Sequence, residues 1–86
     1  MIEKMTAGDV IYLTTAASVR FLRPIFVRVI RELPERHTYH SWVWIEGYQL
    51  NAAGDAVARR ELYVMRAGVR MQALPARGRR RLVRVG

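Results

Sequence analysis

The apolar residues of this chain come in short runs that are separated by turn-forming residues. The first run, residues 10–13 with the sequence VIYL, follows Gly8 and Asp9 and is succeeded by two threonines. β-Branched and aromatic residues are enriched in strands, and Gly and Asp commonly bound them. The pattern therefore predicts a strand at about 9–14.

The clearest pattern is a pair of long apolar runs, at 42–50 and 57–66, joined by the short segment 51–55. This segment contains Asn51 and Gly54, which tolerate the positive φ that a short hairpin turn requires. The sequence therefore predicts two antiparallel strands connected by a turn.

A second break, at Ala67 and Gly68, precedes another mixed run at 69–74. This run is predicted to be a further strand or the continuation of a bent one. It ends at Pro75, because proline cannot donate a backbone hydrogen bond to a sheet.

Residues 24–33 fit both a strand and a helix. The apolar positions recur on one helical face, Pro24 suits a first helical position, and Pro34 would end a helix. The run is nevertheless rich in β-branched residues, which lose side-chain freedom in a helix and favour strands. These residues are Ile25, Val27, Val29 and Ile30. We therefore predict a strand and retain the helix as the alternative.

Five short strands, a long first connection at 15–24 and a tight later hairpin predict an all-β fold. The expected architecture is a small, strongly bent antiparallel barrel of SH3-like or OB-like type. The alternative is an α+β domain in which a helix at 24–33 packs on an antiparallel sheet. In either case residues 1–75 are predicted to form a single domain with one modest core, followed by a basic C-terminal tail at 76–86.

The composition is that of a globular protein, with 51% hydrophobic and 26% charged residues. Cysteine is absent from the sequence, so no disulfide can supplement the core. The N-terminal residues lack the apolar core of a signal peptide, and Arg20, Arg23 and Arg28 interrupt the longest apolar stretch. A cytoplasmic location without membrane contact is therefore the expectation.

Positive charge is concentrated in the second half of the chain. The chain has 15 Lys and Arg against 7 Asp and Glu, a net charge of +8. Residues 1–50 carry six basic and five acidic side chains, whereas residues 51–86 carry nine and two, a net charge of +7. Such an excess attracts phosphate-bearing partners. A merely solubilising surface or an acidic protein partner would also account for it.

Residues with catalytic or metal-binding chemistry are sparse. His37 and His40 are near each other with Glu35 as the adjacent carboxylate, but a metal site needs three or four converging ligands. Ser41 follows His40 without an identifiable third group to complete a catalytic triad. The glycines match neither a phosphate-binding loop nor a dinucleotide fingerprint. We therefore expect no enzymatic activity, no metal and no cofactor.

The aromatic residues of the run 42–50 alternate. Trp42, Trp44 and Tyr48 would share one face of a strand, with Val43 and Ile45 on the other. If the aliphatic face is the core, the aromatic face is available for base stacking. Alternatively, the tryptophans themselves form the core.

A kink in this strand would change the environment along the aromatic face. Gly47 lies where such a kink or bulge is possible. The sequence then predicts that one of Trp42 and Trp44 is buried and the other reachable from solvent.

The arginines of the second half are expected to lie in different environments. Arg59 and Arg60 are adjacent on a strand and should point to opposite faces, with Glu61 a possible ion-pair partner. Arg66 and Arg70 flank the break at Ala67 and Gly68. The five remaining arginines belong to the tail.

These patterns predict a small, non-enzymatic nucleic-acid-binding module of low sequence specificity. Its arginines would contact phosphates and its aromatic residues would stack on bases. The candidate site residues are Arg59, Arg60, Arg66, Arg70, Arg77, Arg79, Arg80, Arg81, Arg84, Trp42, Trp44 and Tyr48. The alternative is a protein-interaction or assembly domain that docks an acidic partner or forms a homo-oligomer through an exposed sheet edge.

Overall fold

A computed structural model describes residues 4–36 and 39–72. The all-β prediction is confirmed, since the described residues form five antiparallel strands in one sheet and no α-helix. The strands are β1 (Val10–Leu13), β2 (Ile25–Glu32), β3 (Trp42–Leu50), β4 (Ala56–Met65) and β5 (Arg70–Met71), with a 3₁₀ turn at Arg66–Gly68. The segment that fitted both a strand and a helix is thus a strand, and the helical alternative is excluded.

The strand order in the sheet is β4-β3-β2-β1-β5. Four consecutive strands form a meander, and β5 returns to pair with β1, where Tyr12 lies opposite Arg70. Of the two predicted types, this connectivity corresponds to the SH3-like one. Between the described residues of β4 and β5 there is no strand pairing, so the sheet is not closed into a complete barrel.

The connection between β1 and β2 packs against the far end of β4. The Met65 amide donates a hydrogen bond to the Ala17 carbonyl at 2.8 Å. Ala17 and Phe21 of this connection are buried. The connection therefore covers one end of the bent sheet and contributes to the core.

The core lies on the face of β3 that carries Val43 and Ile45, which are opposite Val64 and Leu62 of β4. The aliphatic face of this hairpin is therefore the inner one. The aromatic face is the outer one. The buried cluster consists of Met5, Ile11, Leu13, Ala17, Phe21, Val27, Val29, Val43, Ile45, Leu62, Val64 and Val69.

An irregularity in the pairing of β2 and β3 lies beside Gly47, where the sequence permits a kink or bulge. The register between β2 and β3 shifts between Val29 and Arg31, and Gly47 is the residue opposite Val29. A Cβ atom on Gly47 would lie 2.6 Å from Cγ1 of Val27 and 2.9 Å from the Arg28 carbonyl oxygen. The absence of a side chain thus lets the two strands approach where the extra residue of β2 is accommodated.

A buried ion pair ties the 3₁₀ turn to the end of β2. Arg66 donates from Nη1 and Nη2 to the two carboxylate oxygens of Glu32, at 2.6 and 2.9 Å. The Met5 amide donates to the same carboxylate at 2.7 Å. The hydrogen bond from Arg66 lowers the pKa of Glu32, burial opposes this, and the Met5 amide lowers the pKa further. The Arg66 guanidinium therefore has a structural contact that fixes its position.

Candidate functional site

Tyr48 lies on the outer face between two arginines. In the sheet register it is opposite Arg59 of β4 and Arg28 of β2. Directly opposite residues of antiparallel strands share a face. Because the Tyr48 residue is 36% exposed, this aromatic ring is accessible to solvent with a guanidinium on each neighbouring strand.

The same surface continues onto the other strands. Phe26 lies two residues before Arg28 on the same face of β2, opposite Tyr12 of β1, and Tyr12 lies opposite Arg70 of β5. The ring centroids of Tyr12 and Phe26 are 4.7 Å apart. All five strands thus contribute to one surface, here called the basic-aromatic stripe. It consists of Tyr12, Phe26, Arg28, Tyr48, Arg59 and Arg70.

The arginines of the stripe differ in their charge compensation. Arg59 donates from Nε to Oε2 of Glu46 at 2.8 Å, and this contact raises the pKa of Arg59. Arg28 donates to the Gly54 carbonyl at 3.5 Å, a long hydrogen bond. Neither Arg28 nor Arg70 forms an ion pair within residues 4–36 and 39–72. Arg28 and Arg70 are therefore the uncompensated positive charges of the stripe.

A second aromatic patch occupies the other end of the β3–β4 hairpin. Tyr63 of β4 stacks on Trp42 with a centroid distance of 4.9 Å and packs against Trp44 at 5.0 Å. These three residues, here called the tryptophan platform, are each half-buried on the outer face. The prediction that one tryptophan is buried and the other reachable is therefore wrong, because the irregularity in strand pairing lies beyond both rings, beside Gly47.

An ion pair accompanies the tryptophan platform. The guanidinium carbon of Arg36 lies 4.8 Å from the centroid of the Trp44 ring, and the same guanidinium pairs with the carboxylate of Glu61. Glu61 is thus engaged with Arg36, whereas Arg59 pairs with Glu46. The platform therefore has a carboxylate beside it, which the stripe residues Arg28 and Arg70 do not have.

The structure places the candidate site residues predicted from the sequence in separate groups. Tyr48, Arg59 and Arg70 come together on the stripe. Trp42 and Trp44 share its face but form the separate platform.

The other predicted arginines lie elsewhere. Arg60 points to the opposite face of β4, where it donates to the Gln49 side chain at 2.8 Å. Arg66 is engaged in the pair with Glu32. The tail residues, namely Arg77, Arg79, Arg80, Arg81 and Arg84, lie outside the described residues.

Three residues of the stripe were not recognised in the sequence. Phe26 and Arg28 lie in the segment that fitted both a helix and a strand, and only the strand alternation places them on one face. Tyr12 joins them through long-range pairing between β1 and β2. Strict alternation along residues 25–29 was the available signal for Phe26 and Arg28.

The described residues give no indication of a metal centre or a membrane span. Within residues 4–36 and 39–72, no three His, Asp or Glu side chains are grouped as metal ligands. His40 is exposed, and His37 is not among the described residues. The same ranges contain no helix that is long and apolar enough to cross a bilayer.

Comparisons with protein-family models, with curated proteins and with solved structures gave no match. Inference about function therefore depends on the chemistry of the surface itself.

Proposed function

We propose that this protein binds single-stranded nucleic acid with low sequence specificity through the basic-aromatic stripe. The observation that carries the proposal is the position of Tyr48, an exposed ring in register with Arg28 and Arg59. Sequence-tolerant single-strand binding combines aromatic rings, on which bases stack, with cations along the phosphate backbone. Unpaired bases are favoured because their faces are accessible to the rings.

The dimensions of the stripe suit a short stretch of nucleotides. Its residues extend from β4 to β5, across four interstrand spacings of about 4.8 Å each. Arg59 is at the β4 end of this path with Tyr48 next to it, and the ring pair of Tyr12 and Phe26 lies towards the β5 end. Arg28 lies between them and Arg70 at the far edge, so that rings and uncompensated cations alternate along the path.

Charge also favours a polyanionic ligand. The four glutamates of residues 4–36 and 39–72 are each paired with an arginine, so the uncompensated charge in this part of the chain is mainly positive. Few phosphate contacts on a small surface imply micromolar or weaker affinity. Each phosphate contact should add about −0.7 to the log–log salt slope for a single strand.

The test is fluorescence anisotropy with short labelled oligothymidylate and oligouridylate at several salt concentrations. Arg28→Gln should weaken binding several-fold and reduce the salt slope by about 0.7, because one phosphate contact is lost. Arg60→Gln is the matched control, since it removes the same charge from the opposite face of the sheet. Tyr48→Ala should cost about 1–3 kcal/mol of binding free energy, and Tyr48→Phe should retain binding.

Two outcomes would reject this proposal. Equal effects of Arg28→Gln and Arg60→Gln would mean that binding depends on overall charge and not on the stripe. No detectable binding at low salt would remove nucleic acid as the ligand.

Docking of an acidic protein partner is the second candidate function, supported by the connection between β1 and β2. Val19 and Leu22 are 81% and 82% exposed, and Arg20 and Arg23 beside them form no ion pair within the described ranges. Buried Phe21 anchors the connection, so these side chains are held outward. Polyglutamate should bind the wild type but not the double variant Arg20→Gln/Arg23→Gln. Equal binding of both proteins would exclude the β1–β2 connection as the docking surface.

A further inference from the structure

The tryptophan platform already holds a cation from its own chain. The Arg36 guanidinium lies over the Trp44 ring at 4.8 Å and pairs with Glu61. Arg36 belongs to the connection between β2 and β3, whereas Glu61 belongs to β4, 25 residues away in sequence. A planar guanidinium suits this arrangement because it stacks on an indole face while its N–H groups donate to a carboxylate.

The ring that Arg36 contacts belongs to a packed group of three aromatic residues. Tyr63 lies between the two tryptophans, 5.0 Å from Trp44 and 4.9 Å from Trp42, and the interplanar angles are 33° and 24°. The three rings therefore form a row along the β3–β4 hairpin. Because the rings pack on one another, they hold the Trp44 ring in the position in which the Arg36 guanidinium contacts it.

The contacts that hold Arg36 are exposed. The side chains of Arg36 and Glu61 are 40% and 48% exposed. Ion pairs and cation–π contacts at exposed positions are weak because water and salt screen them. By contrast, the Arg66 and Glu32 side chains are 23% and 7% exposed. Arg36 can therefore be displaced without disturbing the sheet, whereas Arg66 cannot.

We infer that the tryptophan platform and Glu61 form a binding site for an arginine side chain of a partner protein. Arg36 occupies this site in the free protein and is displaced when the partner arginine binds. The site is distinct from the proposed nucleic-acid surface, because a carboxylate beside the rings favours a cation and repels phosphate.

Competition with Arg36 has a measurable consequence. A ligand can bind only those molecules in which Arg36 has left the site. Its apparent affinity is therefore the intrinsic affinity multiplied by the fraction of molecules in that state. Removal of Arg36 should therefore increase the affinity for an arginine ligand. The combined energies of one exposed cation–π contact and one exposed ion pair correspond to an increase of about three- to thirtyfold in this affinity.

Trp42 and Trp44 are the two tryptophans of the chain, so their indole N–H signals report directly on the site. The experiment is a titration of ¹⁵N-labelled protein with N-acetyl-arginine amide, followed by ¹H–¹⁵N correlation spectra. Arg36→Ala should bind this probe about three- to thirtyfold more tightly than the wild type. N-acetyl-lysine amide should bind more weakly, because an ammonium group is strongly hydrated and does not stack.

Two further variants separate the site from general electrostatics. In the Arg36→Ala background, Glu61→Gln should weaken arginine binding. Arg31→Ala in the otherwise wild-type chain is the matched control for Arg36→Ala, since Arg31 is also exposed and pairs with Glu35 at 3.2 Å. This control should leave arginine binding unchanged. Thermal melts establish that each variant is folded. The inference is overturned if Arg36→Ala gives no gain or if lysine binds as well as arginine.

Discussion

Glu32 illustrates how one carboxylate can determine the stability of a small domain. It accepts hydrogen bonds from Arg66 and the Met5 amide while its side chain is 7% exposed. Glu32→Gln should lower the free energy of unfolding by about 3 kcal/mol, because the poorly hydrated Arg66 guanidinium loses the carboxylate that it is paired with. Glu35→Gln, at an exposed pair with Arg31, should cost less than about 1 kcal/mol. Urea denaturation at neutral pH measures both, and equal losses would contradict the assignment.

The same carboxylate predicts a pH dependence. The pKa of Glu32 is lowered, first by the hydrogen bond from Arg66. A group whose pKa is lowered by folding contributes stability above its unfolded pKa, and this contribution is lost as pH falls through the folded value. Wild-type stability should therefore decline below the ordinary glutamate pKa of about 4.3 more steeply than that of Glu32→Gln. Thermal melts from neutral pH to pH 3 compare them; parallel curves would show that Glu32 does not contribute.

Ion-pair partners were the residue-level feature that the sequence predicted least well. Glu61 directly follows the pair Arg59 and Arg60 in sequence and was the suggested partner for one of them. In the sheet, Arg59 instead reaches Glu46 on the neighbouring strand, diagonally across from it. Adjacent residues on a strand point to opposite faces, and cross-strand neighbours are closer. Pairing thus follows from register, which a single sequence does not specify.

At the scale of elements, Gly68 controls the contact between the 3₁₀ turn and the β1–β2 connection. A Cβ atom there would lie 2.0 Å from the Ala16 carbonyl oxygen and 2.7 Å from the Ala17 amide nitrogen. Both are backbone atoms and cannot move independently, so Gly68→Ala should cost about 3 kcal/mol or more of stability. Gly8→Ala is the control, since it has positive φ but nothing within 4 Å, and it should cost about 1–2 kcal/mol.

Chemical denaturation of both glycine variants tests this contact. A smaller loss for Gly68→Ala than for Gly8→Ala would mean that the connection can move away from the turn. The β1–β2 connection would then not be a fixed part of the core.

The strands could be predicted where the alternation of apolar residues and the turn residues indicate the same element. The hairpin predicted at 42–50 and 57–66 is observed at Trp42–Leu50 and Ala56–Met65, because apolar alternation and the turn at Asn51 agree. The run 69–74 is reduced to Arg70–Met71 among the described residues. Burial of Ala17 and Phe21 could not be anticipated, since it depends on how a long connection folds over a distant strand.

At the scale of the whole molecule, positive charge is divided between the sheet and the C-terminal segment. Residues 4–36 and 39–72 contain ten basic and six acidic side chains, a net charge of +4. Residues 73–86 contain five arginines and no acid, and Glu3 accounts for the remaining charge. Composition alone therefore located the charge of the C-terminal segment, whereas the stripe became visible only from the strand register.

Deletion of residues 76–86 should weaken oligonucleotide binding several-fold and reduce the salt slope. Five positive charges are lost, and each phosphate contact among them contributes about 0.7 to the slope. The domain should remain folded, because the buried cluster of the described residues is built from positions between Met5 and Val69. Anisotropy titrations and thermal melts of the full-length and truncated chains measure the two effects separately.

A full-length variant in which the five tail arginines are replaced by glutamine separates charge from chain length. If the tail acts through charge, this variant should bind oligonucleotides as weakly as the truncated chain and melt like the wild type. Leu82, Val83 and Val85 would remain in it, so any stability that they contribute would be retained. A melting temperature lowered by more than about 10 °C in the truncated chain alone would instead make the segment part of the fold. Binding would then have to be attributed to a tail held against the sheet.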